Sequence, residues 1–93
     1  MQAKLRYRRT SKFKRDYKRE SRTYSDLEEL LRPVINHLVE GMVLPEQLKD
    51  HPLKGNLNDH RECHVKPNLI LIYKRENGVV TLTRIGSHSE LFG

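Results

Sequence analysis

The sequence predicts an α+β domain, with two N-terminal helices packed on one face of a mostly antiparallel sheet. Three observations lead there. Between residues 27 and 38, Leu27, Leu30, Leu31, Val34, Ile35 and Leu38 recur at helical spacing, and Gly41 offers a stop. Residues 61–65, 69–73 and 79–85 form three strand-like runs, and Asn77-Gly78 between the last two signals a hairpin because both residues tolerate positive φ. Helices followed by strands, rather than alternating with them, give segregated layers.

The elements follow in chain order. Leu5 and Tyr7 alternate with Lys4, Arg6 and Arg8, the period of a half-buried strand over about residues 3–9. Thr10 or Ser11 caps a short basic helix in which Phe13 and Tyr17 stand one turn apart. Ser25 and Glu28 have the spacing of a capping box for the second helix, and Pro33 predicts a kink or a break within it. From Val43 to Asp59 the chain turns rich in Pro, Gly, Asn and Asp, which predicts a long ordered loop of the kind that usually carries function. In the next run, alternation turns Arg61, Cys63 and Val65 to one face and His60, Glu62 and His64 to the other. The unbroken Leu69-Ile70-Leu71-Ile72-Tyr73 run predicts a central strand buried on both faces. After Gly86 the chain reads as a short free tail.

A chain of 93 residues has room for one domain with one core, so residues 1–93 are read as a single unit. Its charge is uneven: the first 22 residues carry ten Lys or Arg against Asp16 and Glu20, and the rest is slightly acidic, for a net +6. Such a block gathers polyanions or an acidic protein partner. Lys14, Arg15 and Lys18 of the first helix are the candidates for contacting RNA phosphates. The single cysteine, Cys63, forms no internal disulfide and reads as an inert packing thiol. Residues 1–30 contain no apolar run resembling a signal peptide or a membrane span, which predicts a cytoplasmic protein. The histidines and Cys63 lack the paired spacing of a zinc site, so neither a metal nor a small-molecule cofactor is expected.

Four of the five histidines, His51, His60, His64 and His88, lie in the second half, interleaved with Arg61 and Arg84. Imidazole exchanges protons near neutral pH and a guanidinium clamps phosphate, so the combination suggests proton transfer around a phosphodiester. His37, near the end of the second helix, is read as structural or surface. Phe92 on the tail is an aromatic able to stack on a base or to pin the tail.

The segments 49–55 (KDHPLKG), 61–67 (RECHVKP), 69–73 (LILIY) and 84–92 (RIGSHSELF) closely resemble the YafQ branch of the RelE/ParE toxin superfamily, in matching order over about residues 5–93. The resemblance implies a RelE-like microbial RNase fold and the toxin of a type II toxin–antitoxin pair. It implies a ribosome-dependent endoribonuclease that cuts mRNA in the A site, with a cognate antitoxin, the ribosome and its rRNA, and mRNA as partners. The family's active-site histidines fall on His51, His64 and His88, its phosphate-binding arginine on Arg84 and its terminal aromatic on Phe92. Where the pattern generally has an aspartate after the proline, this chain has Asn68, which cannot act as a carboxylate base. The resulting mechanism is metal-independent: His51 or His64 as base, Arg84 with Lys54 or Arg61 as phosphate stabiliser, and His88 as acid. Two alternatives stay open: a non-catalytic ParE-like toxin that binds gyrase, and a basic RNA-binding module without turnover.

Overall fold

The computed structural model describes residues 5–93. Strand β1 (Arg6–Arg9) leads into helices α1 (Ser11–Glu20) and α2 (Leu27–Val39). A two-residue strand β2 (His51–Pro52) follows, then β3 (Arg61–Lys66), β4 (Leu69–Glu76), β5 (Val79–Gly86) and a short helix α3 (His88–Phe92). The sheet order is β1-β5-β4-β3-β2, antiparallel except for β1, which runs parallel to β5. This puts β4 at the centre, and Leu69 through Tyr73 are all buried, as an unalternating apolar run requires. Asn77 and Gly78 make the β4–β5 turn with φ of 54° and 76°. Positive φ at both positions matches the right-handed twist of the two strands.

One sheet face carries Cys63, Leu69, Leu71, Tyr73, Val80, Leu82 and Ile85 into a core shared with Phe13 of α1 and Leu27, Leu31, Val34 and Leu38 of α2. These α2 residues recur every three or four positions, so one stripe of the helix is buried and the rest is wet. Each such side chain contributes about 1.5–3 kcal/mol by leaving water. Cys63 is fully buried, and burial pushes its thiol up to about 12. The thiol is therefore a packing group, as expected.

Four local expectations are corrected. The Ser25–Glu28 capping box does not form: α2 starts at Leu27 behind Asp26, and the Leu27 N–H donates to the Tyr24 carbonyl, so a backbone turn does the capping. Pro33 does not divide α2, which is helical from Leu27 to Val39. Pro33 and Glu29 both lie on the exposed side, so the carbonyl that proline leaves without a donor is on the side of the helix open to solvent. The 43–59 segment is not simply a loop, since it contains 3₁₀ turns at Glu46–Leu48 and Gly55–Leu57 and the edge strand β2. Two residues are too few to show a period, and Pro52 suits an edge because it has no N–H to donate. The tail is α3 rather than free: the Ser87 hydroxyl accepts from Glu90 N at 3.2 Å, and the Glu90 carboxylate accepts from Ser87 N at 2.8 Å. The sequence carries that capping box in plain view, in the spacing Ser-x-x-Glu. Residues 3 and 4 of the predicted first strand lie outside the described residues.

Thr10 caps α1 as predicted, its hydroxyl accepting from Phe13 N and donating to the Thr83 carbonyl. This ties α1 beside β5 where β1 ends. There the side chains of α1 replace a strand: Asp16 accepts from Ile85 N at 3.1 Å and Arg19 donates to the Ile85 carbonyl at 3.2 Å. The otherwise unpaired edge of β5 is thereby satisfied.

Candidate active site

The pairing register sets His51, Glu62, Ile72 and Arg84 in one row across β2, β3, β4 and β5. Directly paired residues share a face, and this is the face opposite the helices. His64 stands in the next row, paired with Ile70, which pairs in turn with Gly86. Ile70 and Ile72 are buried and form an apolar floor under the polar groups. With neighbouring strands about 4.8 Å apart, the backbones of His51 and Arg84 lie roughly 14 Å apart along the row.

Glu62 joins two of the predicted histidines. Its Oε1 lies 2.9 Å from His51 Nε2 and 3.8 Å from His64 Nε2, and the two imidazole centroids are 6.4 Å apart. Glu62 is buried. Across the ring, His51 Nδ1 is 2.7 Å from the Lys49 carbonyl and His64 Nδ1 is 3.3 Å from the Pro67 carbonyl. A carbonyl only accepts, so each Nδ1 carries the hydrogen. The Nε2 of each ring is then the nitrogen turned towards Glu62. Sequence reasoning missed Glu62 as a functional residue. The signal was there, since alternation put it on the histidine face.

His88 opens α3 and packs on Phe92 with ring centroids 5.0 Å apart. Asn68 Oδ1 accepts from the His88 backbone N at 3.1 Å. Consecutive residues of the β3–β4 turn, Pro67 and Asn68, thus hold His64 and His88. Accepting a hydrogen bond from an N–H needs an oxygen and not a negative charge, so the amide of Asn68 fills this role as a carboxylate would.

Arg84 turns towards α1, where its Nε and Nη2 meet the two oxygens of Asp16 at 2.6 and 3.2 Å. Burial opposes the Asp16 carboxylate, but bonds from Arg84 and Ile85 together with the charges of Arg84 and Arg19 outweigh it and hold its pKa below the usual 3.8. Arg61 is on the other face of the sheet: it pairs with Tyr73, and its guanidinium donates to Asp50, which also accepts from the Tyr73 hydroxyl. Its expected place beside the phosphate is therefore corrected, because alternation points it away from Glu62 and His64. Lys54 is exposed just before the 55–57 turn, and among the described residues no hydrogen bond or ion pair links it to the row. His60 is buried and bridges Asp59 and Thr83, holding β3 to β5. His37 bonds the Pro33 carbonyl on α2, away from the row.

Lys14, Arg15 and Lys18 are all exposed on α1, but they do not form one surface. Arg15 shares a stripe with Lys12, Asp16 and Arg19 beside Arg84, while Lys14 and Lys18 fall on the next stripe outward. Among the described residues no group of three or more His, Cys, Asp or Glu could hold a metal ion. No helix among them is long and apolar enough to cross a membrane.

An antiparallel sheet backed by two helices, with histidines and an arginine spread on its open face, defines the RelE-like class of small toxins. Within that class the chain belongs to the YafQ family, whose description, bacterial toxin of type II toxin–antitoxin system, matches residues 5–93. The mRNA interferase toxin YafQ of Escherichia coli K12 is 32% identical over 84 residues, covering 90% of this chain and 91% of that protein. The toxin in the E. coli DinJ–YafQ complex superposes with a TM-score of 0.86 at 31% identity, covering 96% of this chain and 99% of that one. A metal-bound toxin from Helicobacter pylori gives a TM-score of 0.87 at 43% identity, covering 95% and 99%.

Proposed function

We propose that this protein is an mRNA interferase, an endoribonuclease that cuts mRNA in the ribosomal A site and is neutralised in the cytoplasm by a cognate antitoxin. The observation that carries the reading is the row from His51 through Glu62 to Arg84, with His64 beside it and His88 tied to the same turn. The mRNA interferase named in E. coli and the DinJ complex support it.

Cleavage removes a proton from a ribose 2′-OH, lets that oxygen attack phosphorus, and protonates the departing 5′ oxygen. His64 Nε2 takes the first proton. The His51–Glu62 pair, carrying a proton, stabilises the charge that develops nearby. Arg84 draws the phosphate to the α1 end of the row, and His88 protonates the leaving oxygen while Phe92 and Asn68 keep its helix in place. The products are a 2′,3′-cyclic phosphate and a 5′-OH, and no group outside the protein is consumed. Each acid or base is worth on the order of 10²–10⁴-fold.

The test is a translation extract with a reporter message and purified protein, read by primer extension. The reading predicts discrete cuts within codons on translating messages and a cyclic phosphate at the new 3′ end. Intact message, or DNA damage on expression in place of RNA loss, would overturn it.

A further inference from the structure

Beside Arg84 lies a pocket of about 300 Å³ lined by Lys12, Arg15, Asp16, Arg19 and Arg84. At ~30 Å³ per liquid water it has room for about ten waters, enough for a sugar-phosphate unit. Its cations are not equivalent. Arg19 is spent on Asp16, Glu20 and Glu90, at 3.1, 2.8 and 3.0 Å. Lys12 and Arg15 are exposed, and no carboxylate among the described residues lies within ion-pair distance of either. Arg84 commits Nε and one hydrogen of Nη2 to Asp16, which leaves Nη1 for another acceptor.

The one acid in the pocket does not present a repelling face. Asp16 is 3% exposed, and its two oxygens accept four bonds, from Arg84 Nε, Arg84 Nη2, Arg19 Nη1 and Ile85 N. It acts as a fixed anchor that aims Arg84 and leaves three positive groups, Lys12, Arg15 and Arg84, facing one space. The pocket continues the row at its Arg84 end.

We propose that Lys12 and Arg15 form a receptor for one backbone phosphate of the RNA strand being cleaved, the one next to the scissile linkage on the α1 side, while Arg84 at the edge of the same pocket keeps the scissile phosphate. The proposal takes the identity of the strand from the nuclease reading above. The receptor recognises a phosphodiester rather than a base, so it holds the strand in register without selecting sequence.

The probe is a labelled single-stranded RNA with 2′-O-methyl riboses, which cannot be cleaved, and its affinity is followed against salt concentration. Lys12→Ala/Arg15→Ala removes both of these cations from that one phosphate, so the slope of log K against log salt should flatten by about 0.7, the value for one neutralised phosphate on a single strand. Arg32→Ala/Arg75→Ala removes the same charge from exposed positions away from the pocket and should leave the slope unchanged. Equal effects of the two doubles, no effect of either, or no binding of this RNA by the wild type overturns the proposal. A parallel arm measures binding to ribosomes without message: if Lys12→Ala/Arg15→Ala weakens only that, the phosphate belongs to ribosomal RNA and the proposal fails. If Lys12→Ala/Arg15→Ala flattens the slope but the wild-type protein never cuts a message, the receptor stands and the nuclease reading falls.

Discussion

Glu62 shows at the scale of one residue how a site exceeds its obvious members. His51, His64 and His88 stood out in the sequence because histidines in a basic chain are conspicuous, whereas a glutamate in a strand is ordinary. Its role follows from register, which places it opposite His51 and one row from His64. Glu62→Gln removes the partner of the His51 proton while keeping size, so cleavage should fall by about 10²-fold with unchanged thermal unfolding. A variant that cuts at the wild-type rate would remove Glu62 from the chemistry. Asp16 is the second residue that its chemistry alone did not reveal, since its partners Arg84 and Ile85 are nearly 70 positions away in sequence. Asp16→Ala should cost about 3 kcal/mol in a urea titration, near the low end for breaking a buried pair because the Arg84 side chain is 27% exposed. The pKa of Asp16 is depressed by folding, so its stabilisation is present above pH 3.8 and is lost as pH falls through the folded value. Urea midpoints from pH 5 to pH 2 should therefore drop less in Asp16→Asn than in wild type.

Elements were legible wherever their pattern was long. The α2 stripe, the buried β4 run and the Asn77-Gly78 turn each extend over enough residues, or need a special enough backbone, to be read directly. β2 was hidden by its two-residue length, and α3 by its position at a chain end, although Ser87 and Glu90 spell its cap. Ser87→Ala should destabilise α3 by about 1 kcal/mol. Global stability should barely change, but His88 should be less well held, visible as faster amide exchange at residues 88–92 and weaker cleavage. Pro33 was expected to kink or break α2, and the helix runs through it without a break. A helix interior disfavours proline by up to about 3 kcal/mol relative to alanine, so Pro33→Ala should raise the melting temperature by several degrees. A lowered melting temperature would mean that proline fits this turn better than alanine. α3 also leans on a carboxylate pair. Burial pushes Glu20 up and Glu90 beside it adds to this, against Arg19, while the Ser87 backbone N–H holds Glu90 down. Glu20 therefore stabilises fully below pH 4.5 and loses that contribution as pH rises through its raised folded value. Glu20→Gln should remove this part of the pH dependence from the unfolding curve.

The molecule as a whole divides labour between the two faces of its sheet. The helix face spends its apolar residues on one core, and the open face carries a row of histidine and glutamate that ends in arginine. Composition announced the basic block but not its arrangement, because α1 splits its cations into a stripe beside Arg84 and a stripe facing solvent. Leu38, fully buried where α2 meets the core, should cost 2–5 kcal/mol as Leu38→Ala, and both faces should fail together in one unfolding transition. The central claim is that the open face cuts RNA by proton transfer, and single-turnover cleavage of a message on stalled ribosomes tests it most directly, comparing wild type with His64→Ala, His88→Ala and Arg84→Ala. The account predicts cuts at the same positions with rates lowered at least 10²-fold in each variant, while ribosome binding stays within a few-fold for the two histidine changes. Wild-type rates in folded His64→Ala and His88→Ala would contradict it.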